Sequence, residues 1–445
     1  MNYSLLLEKY HSEMLEKLNE FLSIPSVYDK QTVTKEHPFG KEVHRALQYI
    51  GKLGEELGFN VDYCDGYATE LTIGEGEKLI SIFAHSDVVP ASGNWTNDPF
   101  KPTLIDGKLF ARGTSDDKGP LIAALYATKA LADHGLISNH RVRIVVGGDE
   151  ERGSGCLHHY FEVLKKEQPT YGFTPDSDFP LIYGEKQIVD FYPEIAVKLP
   201  EITKIYGGVA TNAVCDKVVV EMKKNDGFIN YLKEHQIECE INEDKIIFFG
   251  KSCHGSTPEL GVNAALICLS AIGEYFNFPA LSKIGAELTE TSGKKFNGFY
   301  HSKLLGDTTY CLGMITYENG KLRFTINFRS GENVDLNTIV HNFDEHFETT
   351  SIMKEPSPYL LFDPKCKLVK TLLKAYRKET HDYSKPLTTG GGTYAKHAPN
   401  TLAFGALFPK RESRMHEPDE YISLDDFYLS SVIYARAIDL LGKLK

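Results

Sequence analysis

The amino-acid sequence predicts an α/β fold, in which a mixed, mostly parallel sheet carries helices on both faces and a smaller α+β domain is inserted. Three observations predict this fold. Continuous apolar stretches such as 79–83 and 142–146 are typical of buried strands, and polar residues begin directly where each stretch ends. Helical apolar periodicity occurs between these stretches. After about residue 185 the pattern changes to short strands with charged turns, until helical periodicity resumes near residue 363.

Length and composition limit the classes of protein that this chain can be. A length of 445 residues favours two domains, predicted at 1–185 with 363–445 and at 186–362. The formal net charge of −12 argues against nucleic acid or a membrane surface as partner. No apolar run approaches the roughly 20 residues that span a bilayer, and no signal peptide is recognisable. Eight scattered cysteines without a CxxC pair favour reduced thiols, so we expect a cytoplasmic location.

The first part of the chain is predicted to form two helices and three strands. Apolar residues recur at helical spacing from Leu7 to Phe21, which predicts one amphipathic helix that ends before Pro25. A second helix is predicted over 40–58, where a glycine closes it. Strands are predicted near 60–64, 69–73 and 79–84.

His85 follows the third of these strands, and Asp87 lies two residues further on. Ligands of open α/β sheets bind at the carboxyl ends of the strands. A histidine at that place, with a carboxylate near enough to fix its tautomer, is typical of a metal ligand. A histidine at a strand end is more often structural, so the metal interpretation depends on the clusters that follow.

Asp116 and Asp117 lie just ahead of a helix predicted over 121–134. Aspartate is a favoured residue at the amino end of a helix, so capping is one interpretation of the pair. Two adjacent aspartates exceed what capping needs, and binding of a ligand is the other interpretation. The residues alone leave both interpretations open.

Two acidic segments directly follow predicted strands. Three consecutive carboxylates, 149–151, follow the strand at 142–146, and Asp176 and Asp178 follow a short strand at 171–174. Carboxylates at the end of a buried strand are electrostatically unfavourable unless a cation lies among them. A solvated acidic loop is the alternative interpretation.

The inserted domain is predicted to contain two helices, near 260–275 and 335–348. It carries His254 after one strand and Arg329 after another, the alternating strand at 322–328. Either residue alone would be an ordinary surface residue.

The carboxyl-terminal part returns to the α/β pattern. A helix is predicted from about Leu368, and an apolar strand is predicted at 401–404. The segment that contains His416 follows, and Ser423 caps a last amphipathic helix that is predicted to run to Leu441. Nucleotide-binding glycine patterns are absent from the sequence.

Five of these residues offer ligand atoms of the kind that transition metals prefer. The set suits zinc, cobalt or manganese better than calcium or magnesium. Five ligands are too many for one tetrahedral zinc ion, but they fit two ions about 3.5–4 Å apart that share one carboxylate. The set consists of two histidines and three carboxylates: His85, Asp116, Glu151, Asp176 and His416.

These motifs together resemble those of the metallopeptidase family that includes carboxypeptidase G, aminoacylase, succinyl-diaminopimelate desuccinylase and carnosinase. The likeness is greatest to the dipeptidase V branch of that family. The motifs follow the order of the family over nearly the whole chain. They are 85–90 (HSDVVP), 112–120 (RGTSDDKGP), 149–151 (DEE), 175–180 (PDSDFP), 250–255 (GKSCHG), 327–329 (NFR) and 415–420 (MHEPDE).

The resemblance implies two divalent metal ions per chain. Zinc is favoured, and manganese or cobalt are the alternatives. Asp178 is the rival of Asp176 as a ligand, and the peptide bond between Asp116 and Asp117 is expected to be cis. The implied arrangement places His85 and Asp176 on one ion, Glu151 and His416 on the other, and Asp116 as the bridge between both.

The resemblance also implies the residues that carry the reaction. Asp87 would orient His85, and Glu150 would be the general base that takes a proton from the water between the metals. His254 would stabilise the oxyanion, and Arg329 would bind the carboxyl end of a peptide.

Further substrate contacts are implied at Asn212, Gly391 and Gly392. Because His254 and Arg329 belong to the inserted domain, that domain would act as a lid that closes during hydrolysis. The insertion is longer than a minimal lid, which favours a monomer over a homodimer.

We therefore expect a metal-dependent dipeptidase that hydrolyses dipeptides or short peptides, with no nucleic-acid or membrane partner. Within enzymes, the alternative is an N-acyl amino acid deacylase or a carboxypeptidase of the same family. The alternative from a different class of protein is a metal-binding or peptide-binding protein that has no catalytic activity. Glu150 argues against that last alternative, because a binding protein needs no general base beside its ligands.

Overall fold

The computed structural model describes residues 1–199 and 201–444, and the chain divides into two compact units. The first unit is formed by Met1–Gly184, Leu360–Thr388 and Gly392–Lys445. The second unit is formed by Glu185–Tyr359 and Thr389–Gly391. The predicted domain boundaries stay predictions, because compactness does not show that either unit folds alone.

A nine-stranded mixed sheet forms the framework of the first unit. The third to sixth strands of its spatial order run parallel to one another. The two strands at the amino-terminal edge are antiparallel to their neighbours. The order is Asn60–Asp62, Ala68–Gly74, His140–Gly147, Lys78–His85, Tyr171–Thr174, Thr401–Ala403, Ile182–Glu185 and Leu360–Leu361, and Leu387–Thr389 pairs with Ile182–Glu185.

The central strand Lys78–His85 is buried along almost its whole length because helical segments cover both faces of the sheet. Phe83 and Phe173 point to opposite faces, since Phe173 is in register with the residue before Phe83. Phe173 stacks on Tyr434 of the last helix at 5.5 Å between ring centroids. On the other face, Phe83 lies 5.9 Å from Phe161 of a short helical segment. The predicted α/β fold class is confirmed.

The prediction of one amino-terminal helix is wrong, because the chain forms two helices there that are separated at Lys9 and Tyr10. The ring of Tyr10 lies 5.9 Å from that of Tyr126, and its hydroxyl donates to Asp133. These tertiary contacts compete with continuation of the helix. The helices of the first unit are Tyr3–Glu8, His11–Leu22, Lys41–Glu56, Lys118–Asp133, Gly155–His158, Lys367–Thr380 and Leu424–Gly442.

The helix predicted over 121–134 begins earlier, at Lys118. Lys118 is fully buried, and its ammonium group donates to the backbone oxygens of Phe21 at 3.2 Å and Ile24 at 2.7 Å. Nearly every residue of this helix is buried, so it has no polar face to show where its first turn lies. Because the helix starts early, Asp116 and Asp117 directly precede its first residue.

An antiparallel sheet of eight strands forms the second unit. Helices pack against it and share its apolar core. This sheet agrees with the predicted α+β character of the insertion. Its spatial order is Cys239–Ile241, Lys245–Phe249, Lys217–Met222, Ile202–Gly207, Thr309–Glu318, Lys321–Ser330, Gln187–Ala196 and Thr350–Met353.

Two helices of the second unit were not predicted, Asp226–Glu234 and Pro279–Glu287. Each has only nine residues, which is too short for a clear period. Asn225, whose side chain accepts from the N–H of Phe228 at 2.8 Å, and the proline at position 279 are signals that could have found them. The predicted helices are Ala264–Tyr275 and Leu336–Phe347. Within the described ranges, none of the helices combines the length and apolar character needed to cross a bilayer.

Candidate metal centre

Three neighbouring parallel strands bring polar residues to one edge of the first sheet. The strands that end at His85, Gly147 and Thr174 are adjacent and parallel, so their carboxyl ends meet. The segments that follow the second and third strands hold Glu151 and Asp176. This edge is where open α/β sheets bind ligands.

The donor atoms form two groups that share one carboxylate. One group is His85, Asp116 and Asp176, the other is Asp116, Glu151 and His416, and the ligand atoms of each group lie within 4.8 Å of one another. Oδ1 of Asp116 lies 2.9 Å from Nε2 of His85, and its Oδ2 lies 2.9 Å from Nε2 of His416. The remaining two carboxylates flank the histidines, with Asp176 Oδ2 at 3.7 Å and Glu151 Oε2 at 3.2 Å from the respective Nε2 atoms.

The chemistry and spacing of these donors fit two divalent cations. Imidazole nitrogens and carboxylate oxygens are the ligands of zinc and of neighbouring transition metals. Donors bound to one tetrahedral ion lie about 3.3–3.6 Å apart when each bond is about 2.0–2.2 Å long. The donor separations in the structure, 2.9–3.7 Å, bracket these distances. Asp116 is placed to bridge because each of its oxygens belongs to a different group.

Strong opposite charges surround the shared carboxylate. Burial lowers the pKa of His85, but hydrogen bonds to Asp116 and Asp87 outweigh burial and hold that pKa well above its ordinary value. Burial also lowers the pKa of His416, but Asp116 and Glu151 outweigh burial and raise that pKa to about 12. Although burial raises the pKa of Asp116, its two histidine partners hold that pKa far below the usual range. The two histidines therefore favour the ionised form of the Asp116 carboxylate.

The other carboxyl groups of the centre repel one another. Burial and, second, the charge of Asp116 raise the pKa of Asp176 to about 8. Burial also raises the pKa of Glu150 well above its ordinary value, with Asp176 as the next cause. For Glu151, burial and the charge of Asp116 raise the pKa. Bound cations would offset this repulsion, because they favour the ionised carboxylates.

Asp87 connects the first histidine to the acidic segment. Nδ1 of His85 lies 2.9 Å from the backbone oxygen of Asp87 and 3.4 Å from its Oδ1. The backbone N–H groups of Glu150 and Glu151 donate to the two carboxylate oxygens of Asp87, each at 3.2 Å. These contacts support the predicted orienting role, and they also fix the backbone on which the next two glutamates lie.

The two rival ligands, Asp176 and Asp178, lie in different surroundings. Asp176 belongs to the first donor group, whereas Asp178 belongs to a two-residue strand and to neither group found among the described residues. The geometry therefore favours Asp176. The peptide bond between Asp116 and Asp117 is cis, as the resemblance implies, and Oδ2 of Asp117 accepts from the N–H of His85 at 3.2 Å.

His416 is the one half-exposed member of the donor groups, with 51% of its side chain accessible. Its backbone has a φ of +67°, in the left-handed region that histidine enters more readily than most residues. The segment that carries it is held by Asp419, whose carboxylate accepts from the N–H and the hydroxyl of Thr96, each at 2.8 Å. These contacts fix the segment although its surface is exposed.

In the second unit, Arg329 is a buried cation that is held by its neighbours. Its Nε donates to Oδ1 of Asn327 at 2.8 Å, and its Nη1 donates to the backbone oxygen of Gly390 at 2.6 Å. Asn327 in turn donates to Asp190 at 2.7 Å. Burial lowers the pKa of Arg329 to about 10, so the guanidinium stays charged at neutral pH. Its remaining N–H groups can donate to a carboxylate.

The other predicted substrate contacts of the second unit are Asn212, His254 and Gly391. Asn212 and His254 are exposed neighbours, because the residue after His254 donates its N–H to the backbone oxygen of Asn212 at 2.7 Å. Gly391 directly follows the residue whose carbonyl accepts from Arg329. Gly392 is the exception, since it belongs to the first unit.

Three buried charged residues were missed by the sequence analysis. Lys186 is 8% exposed, and burial and the charge of Arg329 lower its pKa. Arg112 and Glu420 form a fully buried ion pair at 2.8 Å. Lys186 directly follows the strand Ile182–Glu185, and Arg112 and Glu420 lie in the motifs 112–120 and 415–420, so their positions could have marked all three.

The fold and the donor groups define a metal-binding α/β protein. A model of the peptidase family M20/M25/M40 matches residues 82–440, which is most of the chain. The chain therefore belongs to this family and is a metallopeptidase.

Relatives of similar length support this assignment. A Staphylococcus epidermidis protein named "Putative dipeptidase" is 35% identical over 459 residues, covering 97% of both chains. The Bacillus subtilis protein "Putative dipeptidase YtjP" is 33% identical over 471 residues, covering 100% of both.

Solved structures show the same fold at lower identity. Human carnosine dipeptidase 1 superposes with a TM-score of 0.63 at 14% identity, over 99% of this chain and 98% of that one. The YXEP protein of Bacillus subtilis, described as a dinuclear metal binding peptidase of the M20 family, superposes with a TM-score of 0.56 at 10% identity, over 97% of this chain and 98% of that one. These likenesses support the fold, and the family assignment rests on the sequence.

Proposed function

We propose that this metallopeptidase is a dipeptidase that uses two divalent cations and Glu150 as general base. The observation that carries the proposal is the position of Asp116, which offers one oxygen to each of the two donor groups at 2.9 Å. The names of the full-length relatives support dipeptides as the substrates. Zinc is the proposed metal, with manganese and cobalt as alternatives, because the donors include two imidazoles.

The proposed metal ligands are the five residues of the donor groups. Two bound cations would lower the pKa of a water molecule and polarise the peptide carbonyl. Glu150 lies next to Glu151 in the chain, but it is not a member of either donor group found in the described residues. We propose that it takes the proton of the attacking water and passes that proton to the leaving amine. Asp87 keeps His85 in its orientation through the Nδ1 contacts.

The second unit is proposed to bind the substrate. Arg329 and Lys186 are two buried cations close enough to influence each other, which suits the free carboxylate at the end of a dipeptide. His254 is proposed to stabilise the oxyanion, with Asn212 and Gly391 as further contacts and Gly392 as a contact from the first unit. A monomer in the cytoplasm remains our expectation.

Hydrolysis by metal-stripped protein, with zinc, manganese or cobalt added back in turn, tests the proposal. The substrates are a panel of dipeptides, the same dipeptides as carboxyl-terminal amides, and N-acyl amino acids. We expect cleavage of dipeptides at about two metal ions per chain, and slower cleavage of the amides because they lack the carboxylate. Two bound metals with cleavage of N-acyl amino acids alone would favour a deacylase. Failure to bind metal would contradict the site itself.

A further inference from the structure

Glu420 is a fully buried carboxylate that lies four residues after His416. Both of its oxygens accept hydrogen bonds from the segment that leads to Asp116. Oε1 accepts from the N–H of Ser115 at 2.9 Å, from its hydroxyl at 3.0 Å, and from the N–H of Asp116 at 3.2 Å. Oε2 accepts from the N–H of Gly113 at 3.0 Å. One side chain therefore accepts hydrogen bonds from three backbone N–H groups of a short loop.

Arg112 supplies the opposite charge. Its Nη1 donates to Oε2 of Glu420 at 2.8 Å, and 1% of Arg112 is exposed. The ring of Trp95 covers the guanidinium, with 5.0 Å between the guanidinium carbon and the ring centroid. A buried ion pair is often no more stabilising than apolar residues of the same volume. Stability alone therefore does not explain why a charged carboxylate lies at this place.

The position of Glu420 links the shared ligand to one histidine. Its own segment carries His416, and its carboxylate holds the backbone of Asp116. The two oxygens of Asp116 must each meet a different histidine, at 2.9 Å in both cases. A small rotation of the Asp116 backbone would move both oxygens from these positions. The contacts of Glu420 oppose that rotation, because they fix the backbone N–H groups of both Ser115 and Asp116.

We propose that Glu420 is a positioning residue for the metal centre, which acts by holding Asp116 in the orientation that both cations require. This inference rests on the proposed function and deepens it. Glu420 touches neither substrate nor metal in this role. Its effect is on the affinity for the cations and, through them, on turnover.

The variant that tests this inference is Glu420→Gln in the full-length protein. Glutamine keeps the size of the side chain but has one acceptor oxygen in place of two. Whichever way the amide is turned, its NH2 group faces either Arg112 and Gly113 or Ser115 and Asp116, all of which are donors. The loop must then shift, and the centre must lose its geometry.

Asp439→Asn is the matched control, since Asp439 is another buried carboxylate of the first unit and accepts from Tyr3 at 2.7 Å. Zinc affinity is measured by competition with a chromophoric chelator, and unfolding of the metal-stripped proteins by thermal melting. We expect Glu420→Gln to bind zinc roughly 10- to 100-fold more weakly, with a lower kcat and an unchanged KM. The control should keep the zinc affinity of the unsubstituted protein.

Wild-type zinc affinity in Glu420→Gln, with or without lower thermal stability, would overturn the inference and leave a structural role only. Asp116→Asn separates this failure from failure of the proposed function. If Asp116→Asn binds zinc normally, the metal centre itself is wrong; if only Glu420→Gln does, the positioning role is wrong. Should Glu420→Gln not fold, Ser115→Ala decides, because it removes the hydroxyl that donates to Oε1 of Glu420 at 3.0 Å and leaves the backbone donors in place. It should weaken zinc binding measurably, and unchanged binding would overturn the inference.

Discussion

Two neighbouring glutamates of the acidic segment have different surroundings. Glu151 Oε2 lies 3.2 Å from His416 and belongs to a donor group. Glu150 is partly exposed and lies near the same charges, and desolvation together with Asp176 raises its pKa. A carboxyl group whose pKa is raised binds a proton more readily than an ordinary glutamate, as a general base must. This difference is the physical basis for assigning proton transfer to Glu150.

Glu150→Gln should therefore lower kcat by roughly 10²- to 10⁴-fold and leave metal content unchanged. The amide keeps the shape of the side chain but does not take up the proton. The measurement combines dipeptide hydrolysis with metal analysis of the same preparation. Glu162→Gln, an exposed glutamate of the first unit, is the control. Turnover within a few-fold of the unsubstituted enzyme would contradict the role.

At the scale of elements, the start of the helix Lys118–Asp133 supports the loop that carries Asp116. Gly119 lies so close to this loop that a Cβ at that position would be 2.1 Å from the backbone oxygen of Thr114. A backbone oxygen of a packed loop has little freedom to move aside. The contact between helix and loop therefore requires a glycine.

Gly119→Ala should displace the loop, so we expect weaker zinc binding and lower activity. Gly135→Ala, at the other end of the same helix, is the control. It has a φ of +64° and open space around its Cβ position, so alanine there should lower stability by about 1–2 kcal/mol without changing zinc affinity. Zinc titration and chemical denaturation of both variants make the comparison. Equal zinc affinity in the two variants would contradict the argument.

At the scale of the whole molecule, metal binding is coupled to protonation. The pKa of Asp176 is raised to about 8 by burial and Asp116, and that of His416 to about 12 by Asp116 and Glu151, which outweigh burial. Both groups therefore hold a proton at pH 7 before a cation binds. Ligation needs the unprotonated forms, so binding must release protons.

Zinc affinity should consequently rise as the pH increases from about 6 to about 8. Calorimetric titration in buffers of different ionisation enthalpy counts the released protons. The control is Asp178→Asn, which leaves the donor groups intact. Binding heats that are the same in every buffer would contradict the coupling.

Stability also depends on pH through groups outside the centre. Burial, with Lys396 as the second cause, lowers the pKa of His397 from 6.5 to about 4. Between these two pKa values the unfolded chain binds more protons than the folded protein. The contribution of neutral His397 to the free energy of unfolding is therefore complete above pH 6.5 and is lost as the pH is lowered toward 4.

His397→Gln should reduce this loss by on the order of 2 kcal/mol, since one pKa unit corresponds to about 1.4 kcal/mol and partial exposure weakens the effect. Denaturant unfolding at several pH values between 4 and 7 measures it. His158→Gln, at an exposed histidine, is the control. The prediction fails if the two variants lose stability in parallel.

The sequence determined the polar chemistry and its place along the chain. Continuous apolar residues indicate buried strands, and the carboxyl ends of parallel strands meet at one edge of the sheet. His85, Glu151 and Asp176 could therefore be placed together before any contact was known. The resemblance added His254 and Arg329, which no local pattern marks as special.

Only the tertiary structure decided the features that depend on contacts distant in the chain. The break at Tyr10 accompanies its contact with Tyr126. The geometry that favours Asp176 over Asp178 as a proposed ligand is its distance of 3.7 Å from His85. Glu420 lies four residues after a predicted ligand, yet its proposed positioning role depends on three N–H groups more than 300 residues earlier in the chain. The local periodicity of apolar residues indicates which side chains are buried. The features above depend instead on which distant segments the fold brings into contact.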